Sequence, residues 1–292
     1  MSFAVFTDTS ANLPTPEARE KQIGVIPLSY IVDGEAKTCS DTEQFPYEEY
    51  YAMLKGGVRV TTSQISPGAY EEAMEPVLQA GQDILFVGMS SGISGSFNSC
   101  EIAAGQLRET YPQRRILLVD SLGASLGEGL LVKLAVDCRE RGMTIEETAE
   151  LLNEKRRHMY QLFTVDDLMF LRRGGRLSNA SAIVGTVLNV KPLLKGNEQG
   201  RIVSFEKIRG RKRVLEKIAE RYDRLVENAG EQIVGISHGH CPEDAAAMAQ
   251  LLNRNHPPRQ ILTVEHEPVT GSYLGPGALC IYFLGGEDVR SK

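Results

Sequence analysis

The sequence predicts an α/β fold in two domains, and three observations carry that expectation. Short apolar runs rich in Val, Ile, Leu and Phe alternate with helical patterns along most of the chain. Three of the first four runs end on a small or acidic residue, Asp8, Gly88 and Asp120, as strands do where a parallel sheet hands over to its loops. The chain has 292 residues, about twice the ~150 of an average domain. The expected architecture is a mainly parallel N-terminal sheet with flanking helices over residues 1–158, then a mixed α/β domain over 159–292.

The first strand is expected at Phe3–Thr7 and the second at Ile23–Val32, with Asp33-Gly34 supplying a hairpin turn and room for an extra antiparallel strand. A helix over 67–80 follows from Ser66 at its N-cap and Pro67 at its first position. Ile84–Val87 and Ile116–Val119 are the next buried strands. Thr144-Ile-Glu-Glu147 is a capping box for a helix reaching about His158. Beyond it, Tyr160–Val165 has strand character. Residues 180–194 are apolar on almost every side, the mark of a buried helix. Leu193–Lys195 and Arg201–Ile208 form a hairpin across residues 196–200. A charged amphipathic helix covers Lys212–Asn228, followed by a strand at 232–237, a helix near 243–253 and strands near 261–265 and 278–284.

Composition narrows the function. Lys plus Arg is 32 against 38 Asp plus Glu, a net charge of −6, which argues against a nucleic-acid partner. Five cysteines contain no Cys-x-x-Cys pair, so neither a disulfide framework nor a zinc site is indicated. The opening Met-Ser-Phe-Ala-Val-Phe-Thr-Asp has no basic n-region, and no apolar stretch approaches the ~18 residues of a membrane span. The expectation is a soluble, cytoplasmic protein.

The most informative segment runs from Ile84 to Ser99: a buried strand, then a loop of Gly and Ser, then a helix starting near Ser94–Ser96. Open α/β sheets bind ligands at such strand ends. Helix-start amides with Ser90, Ser91, Ser94 and Ser96 would suit an anion, although the serines could simply cap the helix. Arg59-Val-Thr-Thr-Ser-Gln-Ile-Ser-Pro67 is a second hydroxyl-rich loop before a helix, and the two could converge on one negative group through neutral donors.

Gly88-Met-Ser-Ser-Gly92 also satisfies the Gly-x-Ser-x-Gly nucleophile elbow, with Ser90 as nucleophile. Asp166 or Asp167 and then His238, His256 or His266 follow in hydrolase order. Against this, Ile93-Ser94-Gly95 prolongs a loop that should pass straight into its helix. His238-Gly-His240 lacks a third metal ligand at a telling spacing. Gly127-Glu-Gly129 lacks the third glycine of a dinucleotide fingerprint, and no Gly-x-x-x-x-Gly-Lys is present. Two basic clusters, Arg172-Arg-Gly-Gly-Arg176 and Arg209-Gly-Arg-Lys-Arg213, could receive a phosphate or an acidic partner.

Several stretches together resemble the DegV family of bacterial fatty-acid-binding proteins. These are Thr7-Asp-Thr-Ser-Ala-Asn-Leu-Pro14, Thr62-Ser-Gln64, Ser91-Gly-Ile-Ser-Gly-Ser96, Val119-Asp-Ser121 with Ser125-Leu-Gly127, Asp167-Leu-Met-Phe-Leu-Arg-Arg-Gly-Gly-Arg-Leu-Ser178, Lys191-Pro-Leu-Leu194 and Gly275-Pro-Gly277. They span nearly the whole chain in family order. The resemblance implies a two-domain DegV-like fold that holds a long-chain fatty acid in an apolar tunnel, with the C-terminal domain contributing to the tunnel. Thr62 and Ser94 match the family's carboxylate-binding Thr and Ser, with Ser63 and the Gly95 amide as supports. The resemblance further implies presentation of the acid to a separate ATP-dependent fatty acid kinase, which converts it to acyl phosphate. This chain would then be the lipid-binding subunit, without a catalytic residue, metal or cofactor of its own. Arg173, Arg176 and Arg209 would face the kinase or the phosphate.

One position departs from the family pattern. Many members carry His two residues before the Gly-Pro-Gly, and this chain has Tyr273. Its phenol would then take the place of the imidazole at the head group, or the local geometry or the partner kinase differs. Physics agrees with the ligand class: at about 0.8 kcal/mol per buried CH₂, a C16 tail supplies on the order of 10 kcal/mol before ordering costs, so hydroxyl donors suffice for the head group.

Overall fold

The structure is a computed structural model that describes residues 3–178 and 189–292. The chain forms two compact units. The first comprises Met1–Phe45 and Thr62–Arg156, the second Pro46–Thr61 and Arg157–Lys292.

The first unit opens with β1 (Ala4–Asp8), α1 (Thr15–Glu20) and β2 (Ile23–Ile26). The expected single strand over 23–32 is two strands. Pro27 has no N–H to continue the ladder, and β3 (Ser29–Val32) pairs instead with β4 (Glu35–Thr38). Their turn is Asp33-Gly34, with φ of 51° and 85°, the positive values a two-residue hairpin requires. After α2 (Tyr47–Lys55), which belongs to the second unit, come β5 (Thr61–Ser63), α3 (Pro67–Gln79) and β6 (Ile84–Gly88). Then follow α4 (Ser96–Thr110), β7 (Ile116–Asp120), α5 (Leu126–Glu140) and α6 (Ile145–His158).

Strands β2-β1-β6-β7 form a parallel sheet, and β4-β3-β5 a small second one. Every residue of β6 is buried, which is why its sequence is a continuous apolar run. Helix α3 begins as expected, the Ser66 hydroxyl accepting from the Ala69 N–H. The capping box of α6 closes in both directions: Glu147 N–H donates to Thr144 Oγ1, and Thr144 N–H to Glu147 Oε2. No amphipathic period marks the start of helix α5, because residues 126–132 are all buried and leave no polar face.

The second unit continues with β8 (Met159–Thr164), α7 (Met169–Gly174), β9 (Val190–Gly196) and β10 (Ile202–Arg209). It ends with α8 (Arg211–Leu225), β11 (Ile233–His238), α9 (Pro242–Leu252), β12 (Gln260–Glu265), α10 (Pro268–Leu274) and β13 (Leu279–Leu284). The sheet order is β10-β9-β8-β13-β11-β12, antiparallel except for β11 with β12. The core includes Tyr160, Leu193, Ile218, Tyr222, Met248 and Phe283, with the rings of Tyr160 and Tyr222 each edge-on to Phe283. Of the helix expected over 180–194, residues 180–188 lie outside the described residues. Val190–Leu194 belong to β9, where pairing with β10 decides a run that periodicity alone leaves open. Among the described residues no helix is long and apolar enough to cross a membrane.

Candidate functional site

Strands β1, β6 and β7 lie side by side and end on Asp8, Gly88 and Asp120. The two carboxylates flank the loop that leaves β6 and tie it down. Met89 N–H donates to Asp8 Oδ2 at 3.3 Å. On the other side the Ser91 hydroxyl donates to Asp120 Oδ2 at 2.6 Å and the Ser91 N–H to Oδ1 at 3.3 Å. Between them Ser90 N–H reaches Gly123 O at 2.8 Å. Burial pushes the Asp8 carboxyl up, opposed by the hydrogen bonds it accepts from Ser10 and Met89. Beneath this layer Glu128, fully buried, accepts from the hydroxyls of Thr7 at 2.8 Å and Ser10 at 2.6 Å. Local sequence marks Asp8 and Asp120 as strand-end acids but carries no sign of either tether or of the role of Glu128.

The tethered loop then turns into α4. Ser94 N–H donates to Ser90 O at 3.1 Å. The Ser94 hydroxyl accepts from Ser96 N–H at 3.2 Å and stands 3.1 Å from Ser96 Oγ. That second hydroxyl accepts from Ile65 N–H at 3.3 Å, and Gln64 Nε2 donates to Ser99 Oγ at 3.3 Å. The two hydroxyl-rich loops therefore meet within the first unit. A β-carbon at Gly95 would overlap the Gln64 side-chain oxygen, so any larger residue there moves the end of the Gln64 side chain. The Gly95 N–H takes no hydrogen bond among the described residues. Thr62, half-buried, and Ser63, exposed, sit on β5 immediately before this junction. Hydroxyls and an available amide at the start of a 15-residue helix can accommodate an oxyanion. A separate cleft of about 540 Å³, lined in part by Phe3, Phe6, Ile23 and Gly24, lies at the opposite ends of β1 and β2.

Tyr273 belongs to the second unit, on α10. Glu267 caps that helix through Val269 N–H and Thr270 N–H, both at 2.6 Å. From α2, Tyr50 donates to Pro268 O at 2.6 Å and Tyr51 to His266 O at 3.0 Å, so the 46–61 excursion holds the start of α10. Tyr273 is half-buried, with the Arg176 guanidinium 4.5 Å from its ring centroid. Arg173 is exposed and lies 5.0 Å over Phe170. Arg209 is exposed at the far end of β10. Two of the four basic residues of the second cluster are paired with acids. Arg211 pairs with Asp244 at 2.7 Å and Asp166 at 3.5 Å, and Arg213 with Glu216 at 3.3 Å.

The surroundings of Ser90 give the hydrolase alternative no support. Its side chain is fully buried and its hydroxyl accepts from Gly92 N–H at 3.1 Å. All five histidines (158, 238, 240, 256 and 266) fall in the second unit. His266 is fully buried with Nε2 3.3 Å from Ser237 Oγ and 3.4 Å from Cys280 Sγ; burial and the nearby His238 push it down to about 3. His238 and His240 both approach Glu265, at 3.8 and 2.9 Å. Among the described residues no group of three or more His, Cys, Asp or Glu side chains could hold a metal ion.

A family model describing the DegV family of uncharacterised proteins matches residues 2–285. The chain is 34% identical to a DegV domain-containing protein of Clostridium perfringens, over 97% of each sequence. It is similar in structure to a fatty-acid-binding DegV family protein from Thermus thermophilus, with 29% identity, a TM-score of 0.89 and coverage of 98% and 100% of the two chains. A DegV family protein from Ruminococcus gnavus, whose crystal structure includes vaccenic acid, matches at 27% identity and a TM-score of 0.88, covering 97% of this chain and 99% of that one.

Proposed function

The chain belongs to the DegV family, and on that footing we propose that it binds a long-chain fatty acid and holds the carboxylate at the two hydroxyl loops of the first unit. The observation that carries this reading is the junction of those loops, where Ile65 N–H meets Ser96 Oγ beside Ser94 and the Gly95 amide. Thr62 and Ser94 are the proposed carboxylate donors, Ser63 and Gly95 the supports, and Tyr273 a further proposed head-group residue. Neutral donors suit a carboxylate that must later react, since an ion pair with Arg would hold it more tightly. Affinity comes from enclosing the tail in an apolar tunnel, at about 0.8 kcal/mol per buried CH₂.

The protein acts in the cytoplasm as a carrier that presents the acid to an ATP-dependent kinase for conversion to acyl phosphate. Arg173, Arg176 and Arg209 are the proposed kinase- or phosphate-facing residues. The division of labour assigns residues 1–158 to the carboxylate and 159–292 to the tunnel.

Mass spectrometry of the organic extract of protein purified from bacteria tests the ligand class. A co-purified long-chain fatty acid is expected. Finding none, together with no thermal shift on adding palmitate or oleate, overturns the reading.

A further inference from the structure

Asp120, at the end of β7, clamps the loop between β6 and α4. Its Oδ2 accepts from the Ser91 hydroxyl at 2.6 Å, and its Oδ1 from Ser91 N–H at 3.3 Å and Leu122 N–H at 2.9 Å. The Asp120 backbone is fixed in turn, its carbonyl accepting from Arg156 Nη1 at 2.8 Å. One residue before Ser91, Ser90 N–H donates to Gly123 O at 2.8 Å. Ser90 O then accepts from Ile93 N–H and from Ser94 N–H, each at 3.1 Å, which closes a turn from Ser90 to Ser94. Where Ser90 and Ser91 are held therefore determines where the Ser94 hydroxyl stands. None of these bonds uses the Ser94 hydroxyl or the Gly95 N–H. An acidic group tied to the same turn as an oxyanion site repels the ligand through its charge, so a contribution of Asp120 to binding has to come from geometry. A carboxylate suits that task, because its two oxygens accept several hydrogen bonds at once.

We propose that Asp120 is a positioning residue for the ligand carboxylate: by clamping Ser91 it holds the Ser90–Ser94 turn in the setting that presents the Ser94 hydroxyl and the Gly95 N–H together, without touching the ligand itself. This rests on the fatty-acid reading above. Donors held in place before the ligand arrives spare it the cost of ordering them, which is the form in which a remote clamp contributes affinity.

Binding of palmitate and of hexadecanol, which carries the same tail without the carboxylate, tests the assignment. The proteins are the wild type, Asp120→Ala, Asp120→Asn, Ser91→Ala and the variant with both alanines. Asp120→Ala is expected to weaken palmitate about tenfold and Ser91→Ala about threefold, with hexadecanol within about twofold of wild type in each. The double variant should be no weaker than Asp120→Ala, since both substitutions open the same clamp. Asp120→Asn keeps the oxygen for the two N–H groups and offers its amide to the Ser91 hydroxyl, so it is expected to recover palmitate to within about threefold. Three results overturn the proposal: equal losses with palmitate and hexadecanol, which mark a general effect on the fold; tighter palmitate binding by Asp120→Ala, which marks charge alone; or Ser91→Ala unchanged toward palmitate. The last does not depend on how Asp120→Ala folds, because Ser91 is exposed and its loss removes no packing. A wild type that binds neither ligand instead overturns the fatty-acid reading itself.

Discussion

The side-chain amide of Gln64 donates to the hydroxyl of Ser99 at 3.3 Å, and the path between them runs over Gly95. One loop thus reaches across the other at a residue with no β-carbon to crowd the Gln64 side chain. Two bonds, from the Ile65 N–H to Ser96 Oγ and from Gln64 Nε2 to Ser99 Oγ, knit two segments separated by some thirty residues into one hydroxyl-rich surface.

Gly95→Ala is therefore expected to displace Gln64 and forfeit its bond to Ser99, at a cost of about 1 kcal/mol in urea unfolding. The same substitution in a Gln64→Ala background should cost less than about 0.5 kcal/mol, since the conflict is already relieved. Additive costs would show that Gln64 is not the group Gly95 makes room for.

Ser94→Ala should weaken fatty-acid binding by about ten- to hundredfold, the worth of one hydrogen bond to a charged group, while the loss of the acceptor for Ser96 N–H costs about 1 kcal/mol in unfolding and leaves the chain folded. The remaining contacts of the loop, through Ser90, Ser91, Asp8 and Asp120, do not involve the Ser94 hydroxyl. Titration with palmitate and a parallel thermal melt check both halves. Unchanged affinity removes Ser94 from the head-group site.

Tyr50 is buried and donates to a carbonyl 218 residues along the chain. Tyr50→Phe leaves Pro268 O without that donor and should cost about 1–3 kcal/mol, a fall in Tm of several degrees for a chain of this size. Calorimetry measures it. A Tm within about one degree of wild type would mean that α10 does not depend on α2.

His266 gives stability a pH dependence of known sign. Its folded-state value is pushed down to about 3 from the ordinary 6.5, so below 6.5 the unfolded chain binds a proton that the folded chain refuses. The stability associated with neutral His266 is fully present above pH 6.5 and falls as pH drops toward 3, by up to about 1.4 kcal/mol per pH unit. Asp8, raised by burial, acts in the opposite sense. The comparison that isolates His266 is wild type against His266→Gln in urea at pH 7, 5.5 and 4.5. The variant should show the flatter profile, and parallel profiles would refute the assignment.

Much of this molecule could be read from its residues in order. The capping box at Thr144, the Ser66-Pro67 helix start, the Asp33-Gly34 turn and the buried run of β6 are each determined by atoms a few positions apart. So is the presence of two loops rich in hydroxyls before helices, because N-caps and strand ends are local chemistry.

What the tertiary structure alone decided are relationships over long separations. Asp8 reaches Met89 across 81 positions, Glu128 gathers Thr7 and Ser10 from more than a hundred away, and α2 leaves its neighbours in sequence to hold α10. Phe170 of α7 lies on Gly275, and Tyr273 of α10 on Gly174, only because the fold makes these short helices neighbours. Periodicity reports which side of an element faces the interior. It carries no information on which distant element waits there, and that pairing decides which serine is tethered, which arginine is stacked and which glycine must remain glycine.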